Sequence, residues 1–254
     1  MGKQIKIAIT LVIVGGLLTT AAFLMAFYSA EVQTFGFATL NKAVDTVYPL
    51  APANMQPTDG SINYQRPGFA QKIFYFHVPI AEASFLVFTI AGIFAVLFLR
   101  KRRKSYDTKS RIAMETALIF VIATMLTGDI WTRASWGVWW EWEPRLTTYL
   151  IMMLLMIAYF VLRNSIEDEE RRATYSAVFA IVAWIDAPIS FFITRLIPST
   201  HPIVFKSGMA PSILIPFIIA QVGMLMIGYA IFVLRVGEED LRTRLDISKE
   251  ALEG

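Results

Sequence analysis

The residues of this chain most suited to metal chemistry are its two histidines, the only ones among 254 residues. His77 lies in the stretch FYFHVP and His201 in STHP. Neutral imidazole offers a nitrogen lone pair near neutral pH, which makes histidine the commonest metal ligand in proteins. Cysteine is absent, so the sequence excludes thiolate ligands and disulfides.

Two histidines without cysteine suit some metal sites better than others. A zinc or copper cage uses three or four protein ligands, and two imidazoles leave such a cage incomplete. A haem iron needs only one or two axial ligands from the protein, because the porphyrin supplies four nitrogens. A structural role for each histidine is the alternative.

Four of the six tryptophans occur within ten residues, in WGVWWEWEPR at 136–145. Tryptophan commonly forms an aromatic belt at the membrane interface, which accounts for Trp131 and Trp184 but less well for this cluster. A flat apolar shelf of indoles suits a flat apolar macrocycle. A helical turn would place three of the indoles on one face, although Gly137 and Pro144 would keep such a turn short.

Three arginines near the apolar segments could hold the two propionates of a haem. Arg133, Arg145 and Arg195 could pair with these carboxylates through charge-assisted hydrogen bonds. For each arginine, a lipid phosphate or a structural partner is an equally good alternative.

Three carboxylates lie inside or at the ends of apolar segments: Glu82, Asp129 and Asp186. A charge in that position is costly, so we expect these side chains to face the protein interior. Structural pairing is the favoured interpretation over ligand contact.

The elements that must position these residues are apolar helices. Hydrophobic residues make up 56% of the chain, and they form runs of about 20, the length that crosses a hydrocarbon core of ~30 Å. The sequence therefore predicts an all-α integral membrane protein with six transmembrane helices and disfavours a soluble globular class. The predicted spans are 5–28, 73–99, 112–131, 146–162, 174–193 and 210–234, the first being a retained helix rather than a cleaved signal.

The distribution of basic residues predicts the orientation. With both termini cytoplasmic, 16 of the 23 lysines and arginines lie on the inside, including the run RKRRK at 100–104. The predicted organisation is a single membrane domain over 1–235, with a cytoplasmic C-terminal tail, 236–254, that continues the last helix. The outer loops are 31–72, 132–146 and 194–209. Both histidines and the tryptophan stretch then share the outer face.

These residues also carry a resemblance to a known family. The stretch TGDIWTRASWGVWWEWEPRLTT resembles the tryptophan-rich signature of the haem-handling membrane proteins of cytochrome c maturation. KIFYFHVP, and a second histidine between spans five and six, resemble the CcmC branch (haem exporter protein C) of the wider CcmC, CcmF and CcsA superfamily. The resemblance covers roughly residues 70–235.

The resemblance implies a function in haem delivery without bond-making chemistry. Such proteins bind haem b as cargo at the extracytoplasmic face of the inner (plasma) membrane and pass it to the haem chaperone CcmE. The implied partners are the small subunit CcmD, the ABC transporter CcmAB and the lipid bilayer, with no nucleic acid. His77 and His201 would be the axial ligands. The tryptophan shelf and the other motif positions would be Trp136, Trp139, Trp140, Trp142, Gly137, Glu143, Arg145 and Leu146.

Two features depart from the family pattern, and two other functions stay open. Glu143 stands where the motif usually has aspartate, and the 31–72 loop is long. The first alternative is a membrane haem lyase (a cytochrome c synthase), although such relatives carry further histidines within their spans. The second is a structural membrane subunit whose tryptophans only anchor it at the interface.

Overall fold

Six helices account for most of the residues that the computed structural model describes, which are 2–28, 68–201 and 211–253. These helices are α1 (Lys3–Tyr28), α2 (Gly68–Lys101), α3 (Lys104–Trp136), α4 (Pro144–Asn164), α5 (Glu169–Leu196) and α6 (Pro211–Glu253). The described ranges contain no strand, and each helix is long and apolar enough to cross a membrane. The prediction of an all-α protein with six membrane-spanning helices is thus confirmed. Residues 31–67 and 202–209 of the predicted outer loops lie outside the described residues.

The helices extend beyond the apolar runs because the hydropathy pattern marks only the part suited to hydrocarbon. The predicted span 112–131 lies inside α3, which begins at Lys104 and ends at Trp136. The last span, predicted to end at 234, belongs to a helix that continues to Glu253. The expectation that the tail continues the last helix is confirmed for the residues up to 253.

Contacts at the two ends of the bundle show that consecutive helices alternate in direction. At one end, a Cβ built on Gly237 would lie 3.2 Å from Ile5, so the start of α1 packs on the tail half of α6. At the other end, Lys72 near the start of α2 donates to the backbone oxygen of Ala26 near the end of α1. There too, the rings of Phe74 and Phe217 stack at 4.8 Å. We call this second end the histidine end, since His77 and His201 lie there.

Ion pairs tie the helices together at the end opposite the histidine end. Arg163 of α4 makes two hydrogen bonds of 2.8 and 2.6 Å with Asp107 of α3, and both side chains are largely buried. Arg111 of α3 pairs with Glu115 and with Glu239 of α6, each at 2.6 Å. Charged groups paired in this way connect α3 to both α4 and α6.

Small residues allow close helix packing in the middle of the bundle. The largest cluster of buried residues contains many alanines, among them Ala91, Ala95, Ala180 and Ala183. At Gly92, a Cβ would lie 2.5 Å from the indole of Trp184, so the ring occupies the space beside the glycine. Packing of small residues is what holds membrane helices together where lipid is as apolar as the side chains.

The pairing of α1 with α6 depends on a contact between two glycines. A Cβ on Gly15 would lie 2.7 Å from the carbonyl oxygen of Gly223. The buried positions of α1 are all small: Ala8, Gly15, Ala22 and Ala26. The two backbones therefore approach more closely than larger side chains would allow.

We expect Gly15→Leu to lower the thermal stability of the detergent-solubilised protein. The added side chain meets a backbone oxygen that cannot rotate away, so the helices must move apart, at a cost of about 1–3 kcal/mol. The midpoint of solubility loss on heating measures the effect. Gly16→Leu is the matched control, because a Cβ there meets nothing within 4 Å. Equal midpoints for the two variants would contradict the close contact.

Candidate haem-binding site at the histidine end

A cavity with about 970 Å³ of empty space, part of it open to solvent, lies at the histidine end. Its walls come from α2, α3, α4, α5 and α6 and from the segments before α4 and after α5. Both histidines line it, although 124 residues of sequence separate positions 77 and 201. The apolar part of the lining includes Val78, Ala81, Phe85, Leu146, Phe191 and Phe217.

His77 is held against α3 by one hydrogen bond and one close backbone approach. Its Nδ1 lies 3.1 Å from Oγ1 of Thr127. A Cβ on Gly128 would lie 3.0 Å from Cε1 of the ring, so a residue larger than glycine would push the imidazole away. Glycine at 128 thus lets the ring lie directly on the α3 backbone.

The surroundings of Thr127 select one tautomer of His77. The threonine hydroxyl donates to the carbonyl of Ala123 at 2.8 Å, with the carbonyl of Thr124 at 3.1 Å. Because a hydroxyl has one proton, its oxygen is then an acceptor for the N–H of His77 Nδ1. In that tautomer Nε2 carries the lone pair that a metal ligand requires.

His201 is positioned by the segment that follows α5 and by an indole of α3. Its backbone N–H donates to Oγ of Ser199 at 3.0 Å. Its ring centroid lies 5.8 Å from that of Trp131, at an interplanar angle of 35°. Trp131 is itself buried and contacts Trp136 edge to face at 5.1 Å.

The tryptophan stretch leaves helical geometry at Gly137. This glycine has φ +81°, in the left-handed region, and its N–H donates to the carbonyl of Arg133 at 3.2 Å, which ends α3. Residues 137–143 are not helical, so the indoles do not share a helix face. Arg133 donates to the carbonyl of Gly137 and lies over the ring of Trp139, 5.9 Å from its centroid.

The four indoles of the stretch occupy different environments. Trp140 lines the cavity, and its buried Nε1 has no hydrogen-bond partner within the described part of the chain. Trp142 contacts Trp140 edge to face at 5.4 Å but is 72% exposed, and Trp139 is 61% exposed. Among the four indoles of the stretch, Trp140 is the one that lines the cavity in the described part of the chain. The assignment of the other three indoles to the ligand surface stays a prediction.

Two of the three candidate arginines line the cavity. Arg145 donates to the backbone oxygen of Phe191 at 2.9 Å, and Arg195 donates to the same oxygen at 3.3 Å. The guanidinium of Arg195 also lies over the Phe191 ring, 5.0 Å from its centroid. Arg133 does not belong to the lining. Its predicted contact with a ligand is untested.

Glu143 connects the tryptophan stretch to the segment that carries His201. The residue is 5% exposed. Its Oε1 accepts from the backbone N–H of Leu146 at 2.8 Å and caps α4. Its Oε2 accepts from Oγ of Ser199 at 2.5 Å.

Sequence reasoning missed four residues of this site. The sequence favours an interfacial anchor at Trp131, whereas the residue is buried and its ring contacts those of Trp136 and His201. Thr127, Gly128 and Ser199 carried no signal of their own. The only available clue was spacing, since positions 124, 127, 128 and 131 recur on one helix face. Glu82 and Asp129, for which the sequence favours structural pairing, line the cavity.

This geometry defines a class of protein: a multi-pass helical membrane protein with a cavity at one end of the bundle, lined by two imidazoles, two indoles and two guanidiniums. The model of one family, described as "Heme exporter protein C" (CcmC), matches residues 27–251. The chain belongs to this family.

Several curated proteins are similar to the chain. "Heme exporter protein C" of Bradyrhizobium diazoefficiens is 29% identical over 208 residues, which are 80% of this chain and 79% of that protein. The protein of the same name in Escherichia coli is 24% identical over 127 residues, about half of each chain. A "putative cytochrome c biosynthesis ccmC-like mitochondrial protein" of Marchantia polymorpha is 31% identical over 121 residues, again about half of each.

Proposed function

We propose that this protein binds haem at the extracytoplasmic face of the membrane and transfers it to a haem chaperone during c-type cytochrome maturation. The observation that carries the proposal is that the chain's only two histidines line one cavity. The names of the relatives, which mention haem export and cytochrome c biosynthesis, support it. In this proposal haem b is cargo, and His77 and His201 supply its axial ligands.

The residues present suit a haem in three further respects. The cavity lining is largely apolar, as a porphyrin ring requires. Trp140 offers a buried N–H donor without a described partner, and Arg145 and Arg195 offer positive charge for the propionates. The hydrogen bond between His77 and Thr127 leaves Nε2 with its lone pair.

The placement of the two ligands suggests how haem leaves. His77 lies within α2, whereas His201 lies beyond the end of α5 in a segment without regular structure. In the proposed mechanism an incoming chaperone supplies a competing ligand and replaces His201 first, which needs no helix to move. The protein then has no bond-making step of its own. The partners proposed for delivery are CcmE, CcmD and the transporter CcmAB.

The proposed orientation places the histidine end outside the cytoplasm, in the inner (plasma) membrane. The contacts of α1, α2 and α6 put the start of α1 and the tail half of α6 at the opposite end, which also carries the run RKRRK. An excess of lysine and arginine on the cytoplasmic side is the general rule for membrane proteins.

Haem binding by the purified protein tests the proposal. We expect a Soret band in protein purified in detergent, with His77→Ala and His201→Ala each weakening or shifting it, because each removes one axial ligand. A protein that stays colourless after haem addition would contradict the proposal and favour the structural-subunit alternative. Formation of a thioether between haem and a Cys-x-x-Cys-His peptide would favour the lyase alternative instead.

The exposure of the indoles predicts unequal contributions to haem retention. We expect Trp140→Ala to speed haem loss from the protein clearly more than Trp139→Ala, because Trp140 lines the cavity and Trp139 is 61% exposed. Transfer of haem to excess apomyoglobin, followed by absorbance, measures the rate. Equal rates would mean that the stretch acts as one shelf or does not contact haem.

A haem analogue tests which arginines pair with the propionates. We expect wild-type protein to bind haem about 10-fold or more tightly than haem dimethyl ester, whose propionate charges are removed. Arg195→Gln should weaken the binding of haem more than that of the ester, because charge-assisted hydrogen bonds to the propionates are lost. The difference between the two affinities should therefore become smaller. Arg133→Gln is the control, because Arg133 lies outside the cavity lining. A larger effect at Arg133 would reassign the propionate contact to that residue.

A further inference from the structure

The carboxylate of Glu143 joins two segments that are far apart in the sequence. One oxygen caps α4 through the N–H of Leu146, and the other accepts from Ser199, 56 residues further on. The side chain is 5% exposed, so both bonds are shielded from water. Loss of a partner for such a buried carboxylate would leave a costly unpaired charge.

Ser199 passes the connection on to His201. Its hydroxyl donates to Glu143 at 2.5 Å, and the same oxygen accepts from the backbone N–H of His201 at 3.0 Å. A continuous chain of hydrogen bonds therefore runs from the first turn of α4 to the backbone of a residue that lines the cavity. His201 follows the end of α5 at Leu196, so no helical hydrogen bond fixes its backbone.

We propose that Glu143 is a positioning residue, which acts through Ser199 to hold His201 where its imidazole serves as an axial ligand of haem. This inference rests on the proposed function. The carboxylate positions His201 and makes no direct contact with the haem, in keeping with its absence from the cavity lining.

The length of the glutamate side chain is essential to this role. Aspartate is among the best helix-capping residues, so at position 143 it would still cap α4. Its side chain is about 1.5 Å shorter, one carbon–carbon bond, so with the backbone unchanged it would cap the helix without also reaching Ser199. Glu143→Asp thus keeps the helix cap and removes the hydrogen bond to Ser199. Ser199→Ala removes the same hydrogen bond and leaves Glu143 itself unchanged.

The test compares haem ligation in Glu143→Asp, Ser199→Ala and wild-type protein, each purified in detergent and loaded with haem. Electron paramagnetic resonance and visible spectra report the fraction of low-spin iron with two strong axial ligands. We expect both variants to lose most of this fraction and to bind haem about 10- to 100-fold more weakly, as is typical when a ligand loses its outer support. Millimolar imidazole should restore the low-spin spectrum in both variants, because it replaces the displaced His201.

Asp168→Ala is the matched control for loss of a helix cap. Asp168 caps α5 by accepting from the N–H of Arg171 at 2.8 Å, at the end of the bundle away from the cavity. We expect this variant to lose thermal stability without any change in the haem spectrum. A purely structural role for Glu143 would give its variants that same result.

The outcomes separate this inference from the proposed function. Variants whose spectra and affinity match those of a haem-binding wild type would overturn the inference alone. Spectral changes that imidazole does not reverse would also overturn it, since His201 displacement would not be their cause. A wild-type protein that binds no haem would overturn the proposed function and this inference with it.

Discussion

The hydrogen bonding of the backbone is the constraint on which the rest of this structure depends. In hydrocarbon a chain satisfies its N–H and C=O groups by forming helices, so irregular segments lie at one end of the bundle or the other. With six alternating helices, the start of α2, the connection from α3 to α4 and the segment after α5 meet at one end. These three segments carry His77, the tryptophan stretch and His201. The candidate site therefore follows from the number of helices and from their alternating direction.

That constraint also explains why the sequence predicted the fold well. Each apolar run is long enough to identify a membrane-spanning helix by itself. Six such helices, with most lysines and arginines in the loops of one side, allow few topologies. The errors lie at the helix ends, as in α3, whose first turns contain Asp107 and Arg111. Those charges pair with Arg163 and Glu239, so the helix continues through residues that a hydropathy pattern assigns to a loop.

The site was predictable in its residue types and less so in its internal arrangement. The rarity of histidine singled out His77 and His201, and the structure places both at one cavity. The tryptophan stretch gave no comparable guide, because its path depends on the left-handed backbone of Gly137. Likewise, the sequence marks Glu143 only as a departure from a family pattern. Its hydrogen bond to Ser199 depends on how the chain folds 56 residues further on. Contacts between distant segments of this kind leave no local pattern in a sequence.

The contact between His77 and Gly128 has a consequence for the bundle itself. Because a methyl group on residue 128 would lie only 3.0 Å from the edge of the imidazole, the ring packs tightly between α2 and the backbone of α3. A side chain proposed as a haem ligand is therefore also part of the packing between these two helices. We therefore expect replacement of His77 by a smaller residue to alter the packing of α2 against α3 as well as any haem ligation. His201 lies beyond the last turn of α5, in a segment without regular structure. The two histidines therefore differ in their structural roles, since His77 packs between two helices and His201 lies on an irregular segment.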